Sequence, residues 1–383
     1  MMQPFTTSEH EQFRDYVKNF AQRYVAPMAE SAEHNEETPR EFFELLGRQG
    51  FLCLSAPSAL GGVGGDVRMS AIMSEELGYV NAGLASAAMV HSGIATSPIV
   101  KSGTAEQQKR YLPSAIKGDM IHAFALTEPD IGSDAVHIKT TAWKQDSGYV
   151  LRGTKMWITN GGIADRVVVA ARVKEGNTDR GVTLFVVEKG MPGFSSGRSL
   201  KKLGHRSSIT SELIFDSVAL SESHRLGDEG EGFRILYPTL TTGRVIVGAR
   251  AIGVAQAALD LAQTYAGQRW QFGQRISSFQ TIRNKLADMA TDIQAARGLV
   301  YHAAWLLDEG ADAVMSAAMA KYYAGEMCIR VTNQALQVFG GYGYSQEFPV
   351  ERLYRDARLH TIVEGTSEIQ QRIIAKSLIG DET

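Results

Sequence analysis

The chain has 383 residues, enough for two or three domains, and its content of 44% hydrophobic and 21% charged residues is ordinary for a globular protein. A formal net charge of −3 excludes the strongly basic surface expected of a protein that binds nucleic acid or an anionic membrane. The two cysteines, Cys53 and Cys328, are too few for a disulfide framework or a cysteine-rich zinc site, and they fit a reducing intracellular setting.

Residues 1–120 are predicted to form a helical domain. Apolar side chains near the start recur at spacings of three and four, which places them on one helix face: Phe13, Val17, Phe20 and Tyr24. Glycines at residues 61, 62, 64 and 65 interrupt any regular element, so a loop is expected over residues 57–66.

The start of the chain shows no sign of a targeting segment. Residues 1–11 include acidic side chains and have neither the apolar stretch of a signal peptide nor the arginines of a transit peptide. No window approaches the ~18 consecutive apolar residues of a membrane-spanning helix. We therefore expect a cytoplasmic protein with no membrane partner; an organellar matrix is the alternative that the sequence leaves open.

Residues 121–230 are predicted to form a small antiparallel β domain. Short β-branched or aromatic runs are separated there by Gly, Asn and Asp turns, and these runs are residues 150–151, 167–169, 182–187 and 213–215.

Residues 231–383 are predicted to form a helical bundle. One apolar face runs through a long helix and includes Leu286, Met289, Ile293, Ala296, Val300 and Leu307. Polar breaks at residues 266–273 and 309–311 indicate antiparallel neighbouring helices.

The sequence lacks the motifs of several common binding and catalytic sites. The glycine runs at 61–65 and 340–343 do not fit a dinucleotide fingerprint or a P-loop, and the nine histidines include no HExxH pair, so no metal site is expected. One GxSxG match, residues 193–197, is interpreted as a chance match in a loop because no helical periodicity follows the serine. If the protein is an enzyme, its chemistry therefore comes from a bound organic cofactor.

The first informative segment is ALTEPDIGSD at residues 125–134. Pro129 and Gly132 favour a turn, and the hydroxyls of Thr127 and Ser133 are available for hydrogen bonds. The alternative is a well-capped surface turn. The position of the segment between the helical and β regions favours a binding role, because pockets often lie at domain boundaries.

The second segment is KMWITNG at residues 155–161. Trp157 and Thr159 lie two positions apart, so on a strand they share one face, where an indole and a hydroxyl can contact a flat ring and its edge. The alternative is a buried tryptophan beside a hairpin turn at Asn160 and Gly161.

The third segment is EGTSEIQ at residues 364–370. Ser367 and Gln370 are predicted to form a capping box, which places Glu364 in the loop just before a helix. Gly365 permits a close approach of the backbone. The alternative is a solvated glutamate that is favoured by the helix dipole.

The fourth set combines RWQFG at residues 269–273, Gln280, and QVFGGYGY at residues 337–344. An arginine together with glycines that let the backbone approach phosphate oxygens suits a pyrophosphate. Helix breaks explain the same glycines equally well.

Taken together and in this order, these segments resemble the acyl-CoA dehydrogenase family over nearly the whole chain. Residues 125–134 look like the family's first signature, and residues 337–344 with 364–370 look like its C-terminal one. The resemblance implies an α+β, mostly helical protein with an N-terminal helical domain, a middle antiparallel β domain and a C-terminal four-helix bundle. It also implies FAD as the cofactor and assembly as a homotetramer.

The resemblance implies roles for individual residues. Those matching FAD contacts are Phe124, Leu126, Thr127, Ser133, Trp157, Ile158, Thr159, Arg269, Phe272, Gln280, Gln337, Gly340, Gly341, Thr366 and Glu368. Thr127 would hydrogen-bond the flavin ring, Trp157 would lie against it and Thr159 would reach N5. The part of this set that matches contacts to the FAD pyrophosphate and adenosine of a neighbouring subunit is Arg269, Phe272, Gln280, Gln337 and Gly341. Those matching the thioester-ligand site are Ser133, Arg244 and Gly365.

Glu364 matches the catalytic base of the family. Some members carry that glutamate immediately before the arginine matching Arg244, but here the position holds Gly243, which cannot take a proton. Three further positions, Ile131, His137 and Val363, depart from the family's usual residues and bear on the shape of the acyl pocket.

The function implied by the resemblance is dehydrogenation of an acyl-CoA to a trans-2-enoyl-CoA. Glu364 would take the α-proton, flavin N5 would take the β-hydride, and an electron-transfer flavoprotein would reoxidise the flavin. The alternatives are a dehydrogenase of an acyl or aminoacyl group tethered to a carrier protein, a flavin-dependent acyl-CoA oxidase, and a non-catalytic thioester-binding scaffold. The acyl chain and the pathway are not readable from the sequence.

Overall fold

A computed structural model describes residues 5–380, and its elements follow the predicted order of helices, strands and helices. The first helices are α1 (Ser8–Phe20), α2 (Ala26–Asn35), α3 (Arg40–Arg48), α4 (Val67–Val80), α5 (Ala82–Ser92), α6 (Ser97–Ser102) and α7 (Ala105–Ile116). Thr7 starts α1 because its hydroxyl accepts the N–H of His10 while the His10 ring accepts the N–H of Thr7. The glycine-rich loop predicted near residue 60 is present, and Asp66 ends it by capping α4.

The middle segment forms one sheet. Its strands are β1 (His122–Ala125), β2 (Thr141–Gln145), β3 (Gly148–Thr159), β4 (Arg166–Glu175), β5 (Thr178–Glu188), β6 (Phe194–Ser199), β7 (Thr210–Leu220) and β8 (Arg225–Leu226). Their order is β6-β7-β3-β2-β4-β5-β8, with β1 also paired to β4.

The sheet is mixed rather than purely antiparallel. Most neighbours are antiparallel, as predicted, but β1 and β2 each pair with β4 in parallel. The sequence did not indicate this, because two strands joined by a long crossover carry no local turn signal.

The GxSxG match lies in a strand, which corrects its interpretation as part of a loop. Gly193 has a φ of +82° and precedes β6, which pairs with β7 at the edge of the sheet. No helix follows the serine before β7, so a nucleophile elbow is absent from this part of the described chain.

The C-terminal segment is helical. After the long helix α8 (Gly232–Gln268) come the short strands β9 (Trp270–Gln271) and β10 (Gln274–Arg275), then α9 (Gln280–Asp308), α10 (Val314–Phe339), α11 (Val350–Ala357) and α12 (Ser367–Ile379). Helix α10 packs against α8, α9 and α12, and α8 also packs against α9, which gives the predicted four-helix bundle.

The sheet separates two hydrophobic cores. On β4, Val168 and Ala170 pack into the large core shared with the helices, whereas Val167 and Val169 pack into a second core on the other face. This alternation follows from the two-residue period of a strand. Both faces are thus buried, which explains the continuous apolar run of β4.

Two helical stretches, Ala82–Ser102 and Gly232–Gln268, are long and apolar enough to cross a membrane by length and composition alone. The apolar windows are 67% and 78% buried inside the protein, as core helices are.

Candidate active site

The segment after β1 is tied to the end of β3 by a buried lysine. The Lys155 ammonium donates to the carbonyl of Leu126 at 2.8 Å and to Oε1 of Glu128 at 2.9 Å. The Met156 N–H donates to the carbonyl of Thr127 at 2.9 Å. The two segments singled out by sequence, residues 125–134 and 155–161, therefore form one unit.

Glu128 organises the loop beyond it as well. Its carboxylate accepts the backbone N–H groups of Lys139 and Thr140 at 2.7 and 2.8 Å. Burial opposes ionisation of Glu128, but the Lys155 charge and these hydrogen bonds outweigh it and lower the pKa of Glu128. Burial lowers the pKa of Lys155 to about 8, and Glu128 limits that fall.

Replacing Glu128 with glutamine is expected to lower the free energy of unfolding by about 3 kcal/mol, because a lysine that is 0% exposed loses the carboxylate that offsets the burial of its charge. Urea unfolding followed by tryptophan fluorescence measures the loss. The control is Glu175→Gln, which breaks a pair with Arg180 that is 46% exposed on each side and should cost less than about 1 kcal/mol. Equal effects of the two variants would contradict the structural role of Glu128.

Trp157 is exposed rather than buried. It has a φ of +63°, and the pairing of β3 with β7 shifts register between Lys155 and Ile158, so Trp157 sits in a bulge. The indole is 59% exposed, Ile158 is buried and Thr159 is half-buried. Asn160 follows with a φ of +65°, but this turn is not a hairpin because β3 pairs with β2 and β7, not with β4.

The remaining predicted contacts of this first group differ in exposure. Phe124 is buried in β1, Leu126 and Thr127 are half-buried, and Ser133 is exposed.

A second group lines a cavity of about 820 Å³ beyond the C-terminal end of α8. Its walls include Arg269, Phe272, Gly340 and Gly341. Phe272 is 92% exposed at the tip of the β9–β10 turn, and the Arg269 guanidinium lies 5.4 Å from the ring centroid of Tyr342.

Gln280 and Gln337 lie beside this cavity without lining it. Gln280 begins α9 next to the lining residue Thr281, and Gln337 precedes the lining residue Val338. Both glutamines are exposed.

A third group surrounds Glu364, in the loop before α12 as predicted. Glu364 and Gly365 have φ values of +52° and +94°, a conformation that is uncommon for a glutamate and that a glycine tolerates. The Gly365 carbonyl accepts from Lys321 Nζ at 2.6 Å and from Gln370 Nε2 at 2.9 Å. These bonds hold the strained loop in place.

The predicted capping box is wrong by one residue. Thr366, not Ser367, caps α12, and its hydroxyl accepts the N–H of Ile369 at 3.4 Å. Ser367 instead donates to Glu326 at 2.6 Å, and Glu368 is exposed in the first turn. Two adjacent hydroxyl residues make this choice ambiguous in the sequence.

The Glu364 carboxylate packs against α8 at Gly243. A Cβ at Gly243 would lie 1.9 Å from Glu364 Oε2. That oxygen is buried and has no hydrogen-bond partner within residues 5–380. The Glu364 carboxylate therefore occupies space that a side chain at position 243 would fill.

Three cations face Glu364. Burial raises the pKa of Glu364, and the charges of Arg250, Lys321 and Arg244 oppose that rise. Arg244 is buried and donates to Thr241 at 3.4 Å, while its Nε has no partner in the described chain. Burial lowers the pKa of Lys321 to about 8.

Sequence reasoning missed four of these polar residues, namely Glu128, Lys155, Arg250 and Lys321. Arg250 carried a usable signal, since it stands alone in the otherwise uncharged stretch of residues 245–259. Of the three departures noted above, Ile131 is buried and Val363 is half-buried, whereas His137 is exposed and pairs with Asp134.

The second and third groups lie far apart. Arg244 lies in α8 and Arg269 is the C-cap of that helix. The two residues are 25 positions apart, which corresponds to about 37 Å along the helix axis. One extended FAD molecule does not span that distance.

The chain matches models of three domains of one family. These are "Acyl-CoA dehydrogenase, N-terminal domain" at residues 7–119, the "middle domain" at 123–218 and the "C-terminal domain" at 230–379.

Relatives and solved structures agree with these matches. An acyl-CoA dehydrogenase of Bacillus subtilis is 43% identical, over 98% of this chain and 99% of the relative. The caffeyl-CoA reductase-Etf complex subunit CarC of Acetobacterium woodii is 39% identical, over 98% and 99%.

Butyryl-CoA dehydrogenase from Megasphaera elsdenii has a TM-score of 0.94 at 39% identity, covering 98% of this chain and 99% of that one. An acyl-CoA dehydrogenase complexed with FAD from Bacillus anthracis has a TM-score of 0.92 at 32% identity, covering 99% of this chain and 68% of that one. The chain therefore belongs to the acyl-CoA dehydrogenase family of oxidoreductases.

Proposed function

We propose that this protein converts an acyl-CoA to its trans-2-enoyl-CoA, with Glu364 as the base that removes the α-proton. The observation that carries the proposal is the Glu364 carboxylate itself. Its Oε2 is buried without a hydrogen-bond partner in the described chain, against a position that has no side chain. Burial raises the pKa of Glu364, and a carboxylate with a raised pKa is a stronger base than one in water.

The residues around Glu364 suit this proton transfer. An α-C–H of a thioester is a weak acid, so the enolate that develops needs stabilising charge and a site free of bulk water. Arg244 and Lys321 bring positive charge to this region, and Oε2 of the half-buried Glu364 is shielded from solvent. Gly365 and the proton acceptor Glu364 are fixed by the bonds from Lys321 and Gln370. By the family resemblance, Ser133, Arg244 and Gly365 line the thioester site.

The exposed side chains of two groups suit the binding of FAD. These are the group that includes Thr127 and Trp157 and the group that lines the cavity at Arg269. Trp157 and Phe272 present aromatic faces, and Arg269 lies with Gly340 and Gly341, where added Cβ atoms would meet open space. When bound, FAD supplies the acceptor for the hydride that leaves the β-carbon. Thr127 and Thr159 would hold its ring on one subunit, with Phe124, Leu126 and Ile158 behind them. The remaining proposed contacts are Ser133, Gln280, Gln337, Thr366 and Glu368.

The distance along α8 supports cofactor sites shared between neighbouring subunits, and the homotetramer is the assembly that the family resemblance implies. The Arg269 group lies about 37 Å along the helix from Arg244, so it would hold the pyrophosphate and adenosine of a different FAD molecule. A complete site would then require a neighbouring subunit.

Replacing Arg269 with alanine is expected to lower the FAD content after extensive dialysis to less than about one tenth of that of wild type, because the arginine supplies a charge-assisted bond to phosphate worth about 1.5–3 kcal/mol. The matched control is Arg275→Ala, an exposed arginine of the same turn that does not line the cavity. Absorbance of released flavin per protein measures the effect. If both variants retained the same amount of FAD, Arg269 would not be a residue of the cofactor site.

The function is tested by mixing the purified protein anaerobically with a panel of CoA thioesters. Bleaching of the flavin, with a trans-2-enoyl-CoA found by mass spectrometry and NMR, is the expected result. Faster reaction with the matching carrier-protein thioester would favour the tethered-substrate alternative. Turnover with oxygen as the only electron acceptor would favour an acyl-CoA oxidase. Binding of the thioester without bleaching of the flavin would favour a non-catalytic scaffold. Rapid turnover with an added electron-transfer flavoprotein is expected.

The reverse reaction is a second candidate, because a relative at 39% identity carries the name of a reductase-Etf complex subunit. In that direction, the Glu364 carboxyl would return a proton to the α-carbon of an enoyl thioester. A reduced electron-transfer flavoprotein would supply the electrons. Measuring rates in both directions with the same CoA pair decides which reaction dominates.

A further inference from the structure

A second arginine of α8 lies on the same face as Gly243. Arg250 follows Gly243 by seven residues, which is about two helical turns. Side chains on a helix tilt toward its N-terminus, so the Arg250 side chain leans back toward the turn where Glu364 packs. Arg250 is 4% exposed, and its charge is the largest that opposes the effect of burial on Glu364.

His360 anchors Arg250 from the segment just before the Glu364 loop. Arg250 Nε donates to His360 Nε2 at 3.3 Å, and His360 Nδ1 lies 3.3 Å from the Ala357 carbonyl. Because Nδ1 must donate to a carbonyl, Nε2 is the acceptor and the imidazole is neutral. Burial also lowers the pKa of His360 well below its ordinary value.

This histidine accepts the only hydrogen bond that Arg250 makes within residues 5–380. Burial lowers the pKa of Arg250 to about 10, so it remains a cation at neutral pH.

The other charges near this pair are already engaged. Lys321 on α10 donates to the Gly365 carbonyl and faces Glu364 first, then Glu326 and Glu368. Arg244 on α8 donates to Thr241. The groups besides Glu364 and His360 that face Arg250 are the buried Cys328 thiol, Asp356 and the buried His205 imidazole.

Asp356 is itself held by other groups. Its Oδ1 accepts the His205 N–H at 2.5 Å, and the charges of Arg352 and Arg355 act on it. Arg250 is therefore held by one neutral residue, and of the three cations that act on Glu364 its charge has the largest effect.

We propose that Arg250, anchored by His360, is a positioning residue that keeps the buried Glu364 carboxylate ionised before the thioester binds. The proposal deepens the proposed function, because it concerns the same base. It predicts that the pair of residues 250 and 360 sets the lower pH limit of the reaction.

The test compares wild type with Arg250→Met, which keeps an unbranched side chain and removes the charge. Without the cation, Glu364 should take up its proton at a higher pH, with a shift of about 1 unit or more. Activity requires the carboxylate, so the acidic limb of the pH profile should move upward by the same amount. The profile is the single-turnover rate of flavin bleaching by butyryl-CoA or isovaleryl-CoA.

A second readout follows protonation without turnover. Infrared difference spectra of a pH titration report the protonated carboxyl of Glu364, identified as the band that Glu364→Gln removes. Arg250→Lys should restore the midpoint toward wild type, and His360→Leu should move it upward. Arg234→Met is the control, because it removes an exposed cation from the start of the same helix.

An infrared midpoint that is the same in wild type, Arg250→Met and Arg234→Met would overturn the proposal. If Arg250→Met does not fold, Arg250→Lys and His360→Leu decide it in the same way. Absence of bleaching by any thioester in wild type would instead reject the proposed function, and the infrared titration would still judge the link between Arg250 and Glu364.

Discussion

Replacing Glu364 with glutamine is expected to slow dehydrogenation of the best acyl-CoA by about 10³-fold or more, because the amide cannot accept the α-proton and general-base catalysis is worth up to about 10⁴-fold. The change keeps the size of the side chain that fills the space beside Gly243. The φ of +52° at this position and the bonds to the Gly365 carbonyl do not depend on the carboxylate charge. Steady-state turnover with an electron-transfer flavoprotein or an artificial acceptor measures the loss.

The informative control is Glu309→Gln, which removes an exposed carboxylate just after α9 that has no proposed role in the site. The FAD content and oligomeric state of Glu364→Gln should match wild type. Retention of more than about one tenth of the turnover by a fully loaded Glu364→Gln enzyme would show that another group takes the proton.

Replacing Gly243 with alanine is expected to slow turnover by about 10²-fold although Glu364 is still present. The new Cβ would lie 1.9 Å from Oε2 and 3.0 Å from the carboxyl carbon of Glu364, so the carboxylate must move. A displacement of about 1 Å at a reacting group can cost about 10²-fold in rate. Alanine also favours a helix, so α8 should not be weakened.

Gly298→Ala on α9 is the matched control, because its added Cβ meets no atom within 4 Å. That variant should turn over like wild type. Wild-type turnover by a folded, FAD-loaded Gly243→Ala enzyme would contradict the geometry of the carboxylate given above.

The large features of the fold could be predicted because they depend on local patterns. The three- and four-residue spacing around Phe13 and around Met289 predicts helices, and the β-branched run at 167–169 predicts a strand. The order α, β, α is confirmed. The domain boundaries near residues 120 and 230 and the roles of the site residues remain predictions.

The wrong predictions are of two kinds. One kind depends on contacts between residues far apart in sequence, and the other on a choice between two adjacent residues that are equally suitable. The parallel pairing of β2 with β4 depends on the whole sheet, and Thr366 and Ser367 are both good caps. The exposure of Trp157 in a bulge rules out only the alternative of a buried tryptophan, and its contact with the flavin ring stays a prediction.

The polar interior of the site was also not predictable. Lys155 meets Glu128 across 27 positions, and Arg250 meets His360 across 110. The third such contact is that of Gly243 with the Glu364 carboxylate. A buried charged residue requires a partner, but the sequence alone does not identify which residue that partner is.

The most direct test of the central claim is single-turnover flavin reduction by the acyl-CoA that bleaches the flavin fastest, carrying deuterium at the α-carbon, compared in wild type and Glu364→Gln. We expect α-deuteration to slow bleaching in wild type and the glutamine variant to bleach about 10³-fold more slowly or not at all. Bleaching in wild type at the same rate with either isotope, together with rapid bleaching by Glu364→Gln, would contradict proton removal by this carboxylate.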